Sequence, residues 1–161
     1  MDNETRKLIW DSLLAADYRA RYFGDLAGYL ARVERWFTIA SLVLSSSAVA
    51  ALLVGAPKEL TTAAVLIVAL LSATQLVQKF GERASDAADL TVAWLAIQRD
   101  LQALWARQDL DSEAARAAWA EIEARHAQDD KRAAKEFRYW RGLARRAWRE
   151  MLAARGLPEA A

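Results

Sequence analysis

The chain has 161 residues, with 22 Lys and Arg against 21 Asp and Glu, so its net charge is +1 when the single His is neutral. This balance excludes a globally basic nucleic-acid binder and an acidic disordered chain. The absence of Cys excludes disulfides, thiolate metal sites and cysteine nucleophiles. Two Pro and six Gly, set against abundant Ala, Leu, Arg and Trp, favour helix throughout and give little support to a sheet. The hydrophobic fraction is 55% while the mean hydropathy is −0.03, which requires apolar and charged residues to be segregated along the chain.

Residues 4–35 contain no helix breaker besides Gly24 and Gly28. Trp10, Leu14, Tyr18, Tyr22, Leu26, Leu30 and Val33 recur mostly at every fourth position, which predicts an amphipathic helix running into the segment that follows. Gly24 and Gly28 form a small-x-x-x-small pair, read either as a site of close helix approach or as a local bend.

Two uncharged runs follow. Residues 36–57 read WFTIASLVLSSSAVAALLVGAP and residues 60–78 read LTTAAVLIVALLSATQLVQ, 22 and 19 residues long. At about 1.5 Å per residue, each is long enough as a helix to cross a hydrocarbon core of about 30 Å. Gly55-Ala56-Pro57 leaves only a tight turn between them, so the expectation is an antiparallel transmembrane hairpin over 36–78, helical because lipid offers the backbone no partners. The alternative is a helical bundle that buries both runs, and a chain this short has difficulty surrounding them. A secretory signal fits poorly, because the first run begins only at residue 36. Basic residues before the hairpin (Arg6, Lys7, Arg19, Arg21, Arg32, Arg35) and after it (Lys79, Arg83, Arg99) outnumber the single Lys58 in the turn. The positive-inside rule then places both termini in the cytoplasm, with Trp36, Phe37 and Phe80 as interfacial anchors.

Polar residues inside the runs form two stripes: Thr38, Ser41 and Ser45 on the first, Ser72, Gln75 and Gln78 on the second. They read either as helix-packing contacts or as the wall of a pore. Two helices cannot enclose a channel, so the pore reading requires a homo-oligomer. The lack of charge within the runs argues against a proton relay or an ion-coupled transporter. Glu82, Asp86 and Asp89 share a face beyond the second run. They are candidates for a cation-attracting ring at a cytoplasmic mouth, or for ordinary salt bridges to Arg83 or to the basic C-terminal segment.

Beyond the second run the helix is expected to continue. Leu90, Trp94, Ile97, Leu101 and Leu104 follow a heptad spacing that needs a partner, either the N-terminal helix or another subunit. Residues 109–112 read as a connection, with Asp111 or Ser112 capping a helix that carries Ala115, Trp119 and Ile122. Residues 127–130 are expected to interrupt it, with Asp129 or Asp130 as the next cap. Between residues 131 and 149 lie eight basic residues and one acid, Glu136, which gives +7 locally. This segment is expected to be one helix with an apolar stripe of Ala133, Phe137, Trp140, Ala144, Trp148 and Met151. Arg138, Arg141, Arg145 and Arg149 are candidates for lipid or phosphate contact. The commoner reading of such a stripe is a helix packed on its neighbours with its Arg residues facing water or acids of residues 82–130. The chain is expected to fray from Gly156 onward.

The sequence contains no glycine-rich phosphate loop, zincin motif or nucleophile elbow, and Glu121 and Glu123 point different ways on a helix. His126 reads as an exposed helix residue. No catalytic residue, metal, cofactor or nucleic-acid partner is expected, and the chain does not read as an enzyme.

The order of elements is similar to a bacterial pattern. A Tyr- and Arg-rich amphipathic helix (DYRARYFGDLAGYLARVERWF) leads into a Ser-containing run, then a short turn, a second run and a long helix (FGERASDAADLTVAWLAIQRDLQALW). Over about residues 15–108 this resembles the SLATT family of two-span proteins. The resemblance implies a pore-forming effector of bacterial defence that oligomerises and permeabilises the inner membrane under a soluble sensor protein. It supplies no catalytic residue.

The expectation is therefore an all-α, homo-oligomeric, multi-pass inner-membrane protein that acts as a pore or ion channel, with the lipid bilayer as a partner. Residues 1–35 form its N-terminal cytoplasmic helix, 36–78 the transmembrane hairpin and 79–161 a C-terminal cytoplasmic helical region. The alternative is a non-conducting membrane scaffold that docks a soluble partner through its cytoplasmic helices. A third reading is a helical interaction module that needs no membrane.

Overall fold

The computed structural model describes residues 1–44, 46, 57–107 and 109–158. The side chains of residues 44, 60, 71, 72 and 75–78 lie outside that description. Ser45, one of the stripe residues, also lies outside the described residues. The described chain is all-α, with five helices and no strand: α1 (Asn3–Leu44), α2 (Lys58–Gln78), α3 (Phe80–Ala106), α4 (Ser112–Glu136) and α5 (Arg141–Arg155).

Helix ends follow local chemistry. Asp2 Oδ1 accepts from the Thr5 backbone N–H at 2.7 Å, and Asp111 Oδ1 accepts from Ala114 N–H at 2.7 Å, each satisfying an amide that the first turn leaves free. Asp111 is thus the cap of α4. Hydrogen bonds from Thr5 hold the Asp2 carboxyl below its ordinary value. α5 ends in left-handed Gly156 (φ 63°), and Leu157 N–H donates back to Leu152 O at 2.9 Å, a C-terminal closure that glycine adopts without Cβ strain.

The contacts divide the chain into two units, Met1–Leu26 with Asp86–Ala161, and Ala27–Ser85. The first is a four-helix bundle built on the N-terminal part of α1. Trp10 meets Trp105 (centroids 5.4 Å) and Arg19 lies over Trp94, so α3 runs antiparallel to α1. Arg116 donates to Thr5, Trp119 Nε1 donates to Ser12 Oγ at 3.0 Å and Phe23 meets Phe137, so α4 runs parallel to it. Tyr18 meets Trp148 and Asp17 meets Arg155, so α5 is antiparallel again. The heptad residues Leu90, Trp94, Ile97, Leu101 and Leu104 are all buried. Their partner is the N-terminal helix of the same chain. Each such aliphatic side chain withdrawn from water contributes about 1.5–3 kcal/mol.

Because three helices surround α1, its buried face is wider than one stripe. Ile9, Leu13, Ala16, Ala20 and Phe23 form the core, together with Tyr22 and Leu26. The expected Trp10, Leu14 and Tyr18 are only half-buried at its flank. A Cβ on Gly24 would meet Thr91 Cγ2 at an ordinary 3.7 Å, and one on Gly28 would meet nothing within 4 Å, so neither glycine is needed for close approach.

The second unit holds the C-terminal part of α1, then α2 and the first turn of α3. Phe37 and Phe80 pack at 5.5 Å between centroids. Val33, Phe37 and Ala40 on α1, and Ala64 and Val68 on α2, are half-buried along narrow stripes. Between these stripes Trp36, Ile39, Leu42, Val43, Val65, Leu66, Ile67 and Leu70 are 42–69% exposed. The hydroxyls of Thr62 and Thr74 donate to the carbonyls of Lys58 (2.8 Å) and Leu70 (2.7 Å), so they are satisfied within their own helix.

Several expectations are corrected. Among the described residues no helix is long and apolar enough to cross a membrane. This overturns the two-span transmembrane hairpin and the multi-pass inner-membrane location with both termini in the cytoplasm. It also removes the membrane pore and ion channel that rested on them. Residues 36–44 of the first run are the C-terminal end of α1, whose preceding turns carry Arg32, Glu34 and Arg35. The second run does not continue smoothly into the next helix either. Lys79, with φ at 44°, separates α2 from α3. The expected break at 127–130 is absent, since α4 is continuous to Glu136. The expected single helix over 131–149 is instead interrupted at 137–140, where Phe137 and Trp140 have extended backbones.

Candidate functional site

The interruption at 137–140 borders a recess in the bundle. Tyr22, on α1, holds the extended strand of chain in place: its hydroxyl accepts from the Trp140 backbone N–H at 3.0 Å, and its ring stacks on Tyr139 at 6.1 Å between centroids. These contacts cover the amide that the broken helix leaves without a helical partner, which is why the aromatic segment is stable outside a helix. The recess, a cavity of about 300 Å³, is walled chiefly by Tyr18, Tyr22, Phe23, Trp94, Phe137 and Tyr139.

Its two charged residues are partners. Arg19 Nη1 lies 2.7 Å from Asp130 Oδ1, and the Arg19 guanidinium carbon lies 4.4 Å from the centre of the Trp94 ring. Both side chains of the ion pair remain partly exposed, at 39% and 48%. The Trp94 ring is buried, and its Nε1–H has no hydrogen-bond acceptor among the described residues. Burial, reinforced by a hydrogen bond with Tyr139, pushes the Tyr18 phenol up to about 12. The Arg19 and Asp130 charges offset each other, and aromatic faces are electron-rich, so the ring walls of the recess favour cations over anions.

Of the pore candidates, Thr38 is exposed on α1, and Ser41 is half-buried with an Oγ that lacks a hydrogen bond among the described residues. Ser72, Gln75 and Gln78 lie on α2, where their side chains are outside the described residues. Glu82 belongs to the second unit and is paired with Lys79 at 2.8 Å. Asp86 and Asp89 belong to the first. Asp86 is bound by Arg132 at 2.5 Å, an ordinary salt bridge to the basic segment, and Asp89 is exposed.

Arg138, Arg141, Arg145 and Arg149 are all exposed, the last three in one stripe along α5. The apolar face of α5, made by Ala144, Ala147, Met151 and Leu152, is buried in the bundle, so it is not free to enter a leaflet. Trp140 and Trp148, expected on that face, are instead about half exposed. Other basic residues tie the segment to the bundle: Arg146 to Asp25 and Glu150, and Arg155 to Asp17. His126 is half-buried with Nδ1 at 3.3 Å from Asp129 Oδ2. Among the described residues no group of three or more His, Asp or Glu is placed to hold a metal ion.

The recess was not legible in the sequence. Its residues come from α1, α3, α4 and the 137–140 segment, and no local pattern links Arg19, Trp94 and Asp130. The clustering of Phe137, Tyr139 and Trp140 in an otherwise basic helical segment was the only signal of it.

No known protein family, curated protein or solved structure matches this chain.

Proposed function

We propose that the chain is a non-catalytic helical scaffold that assembles with further copies of itself through the apolar faces of residues 27–44 of α1 and of α2. One observation carries the reading. Eight large apolar side chains, from Trp36 to Leu70, are 42–69% exposed on two helices of one small unit. A helix that is apolar nearly all round is ordinarily covered, and contiguous exposed apolar surface of this kind marks a contact site. A second copy is the occupant that meets the requirement most simply, because it brings an uncharged surface of the same length and needs no counter-charge. The resemblance of residues 15–108 to the SLATT layout also implies oligomerisation. The bundle formed by Met1–Leu26 and Asp86–Ala161 is then the part each copy offers to a soluble partner.

The test is sedimentation velocity on the full chain purified without detergent. The wild type sediments as an oligomer, and Leu66→Asp combined with Leu70→Asp shifts it toward monomer with an unchanged helical circular-dichroism spectrum. A wild-type chain that is monomeric at every concentration overturns the proposal. So does a monomer that floats with lipid vesicles, because the apolar surface then has lipid as its cover.

A further inference from the structure

We infer that the aromatic recess of the bundle is a receptor for a single cationic side chain, a guanidinium or alkylammonium presented by a partner peptide. Arg19 is the chain's own occupant, which such a group displaces. The inference goes beyond self-assembly and uses only residues of the bundle unit.

Three observations point the same way. The recess already binds a guanidinium, because Arg19 stacks at 4.4 Å over Trp94 and pairs at 2.7 Å with Asp130. The remaining walls are aromatic and partly uncovered, with Tyr139 exposed and Tyr18 and Phe137 half-buried, so they offer further ring faces to a cation. The Arg19–Asp130 pair is about two-fifths to one-half exposed, and ion pairs of that exposure are weakly held, so a competing cation displaces it readily. An anion is disfavoured, because it would face the Asp130 carboxylate and the negative ring faces with Arg19 already engaged. A cavity of about 300 Å³ is at the small end of ligand sites, which suits one side chain better than a larger organic ligand.

The resident arginine gives the recess an internal competitor, so removing it should unmask the site. The experiment titrates full-length Arg19→Gln and Arg19→Ala with methylguanidinium and ethylammonium at constant ionic strength, following tryptophan fluorescence. A Trp94→Phe background assigns the signal among the seven tryptophans. Both Arg19 variants should show saturable binding about tenfold tighter than the wild type, with the signal lost in Trp94→Phe. Adding Asp130→Asn should abolish the binding. A tetrapeptide with one arginine should bind where its glutamine counterpart does not. The proposal is overturned if neither Arg19 variant responds, or if methylurea, the neutral analogue of similar shape, binds equally well. Persistence in Asp130→Asn also overturns it, as does equal binding of a neutral aromatic such as phenol. Arg19→Gln keeps the side-chain stem in the bundle, so it carries the test should Arg19→Ala fail to fold. Sedimentation of the same variants is expected to match the wild type, so failure of this site and failure of self-assembly are read separately.

Discussion

Asp17 and Arg155 join the first helix to the last across 138 positions of sequence: both Nε and Nη2 of Arg155 lie 2.9 Å from Asp17 Oδ2. The other carboxylate oxygen accepts from Arg21 Nε at 2.8 Å, and the Asp17 side chain is only 5% exposed. The carboxylate is therefore held by two arginines, one from α1 itself and one from the far end of the bundle. Removing one member of a buried ion pair leaves uncompensated charge, which costs more than the intact pair contributes. Asp17→Ala is expected to destabilise the bundle by about 3 kcal/mol, read from the urea midpoint at constant m-value. An unchanged midpoint would show that Arg155 and Arg21 find water instead.

Leu101 and Leu66 carry the same side chain in opposite settings, at 0% and 57% exposure. Leu101→Ala leaves a cavity in the core between α1 and α3 and is expected to cost about 3 kcal/mol in unfolding free energy. Leu66→Ala is expected to change monomer stability by less than about 0.5 kcal/mol while weakening self-association in sedimentation. Equal costs at the two sites would mean that Leu66 is covered within one chain.

Tyr18 provides a pH signature of the recess. Burial first, then its hydrogen bond with Tyr139, raises its phenol from the ordinary 10 to about 12, with the Tyr139 and Tyr22 phenols adding to the shift and Arg19 opposing it. The folded chain thus holds the phenolic proton more tightly than the unfolded chain. The associated stability is complete below about pH 10 and declines as pH rises from there through about 12. In an absorbance titration of the four tyrosines, one should ionise late, and Tyr139→Phe should bring it earlier. Four tyrosines ionising together near 10 would contradict this arrangement.

Gly156 closes α5 in the left-handed region, at φ 63°, with Leu157 N–H returning to Leu152 O. Gly156→Ala puts a Cβ where L-residues are strained and should lower stability by about 1 kcal/mol. Thermal unfolding of Gly156→Ala beside Gly156→Asn checks this, since Asn tolerates the same conformation and should lose less.

Much of the architecture is local and so was readable from residue order. Helix in every described element follows from composition and from 3.6-residue periodicity. The Leu90-Trp94-Ile97-Leu101-Leu104 stripe announces a helical partner through its spacing, and Asp111 announces a helix start through its side-chain oxygen. Each depends on neighbours within a turn or two of chain. Other features depend on residues distant in sequence. The break at 137–140 is stabilised by Tyr22, 118 positions away from Trp140, so helix propensity alone extended the segment wrongly. The width of the buried face of α1 depends on three helices converging on it, which turned Ile9, Leu13 and Ala16 inward in place of Trp10 and Leu14. The Arg19–Trp94–Asp130 cluster exists only once three helices are packed.

Residues 36–78 separate the two kinds of information most clearly. Their apolar character was evident from the residues alone, because the cost of exposing hydrocarbon to water belongs to each side chain. Which of the described faces along α1 and α2 are half-buried and which stay exposed are properties of packing. Only the tertiary arrangement decided them, because burial depends on what the rest of the chain brings alongside.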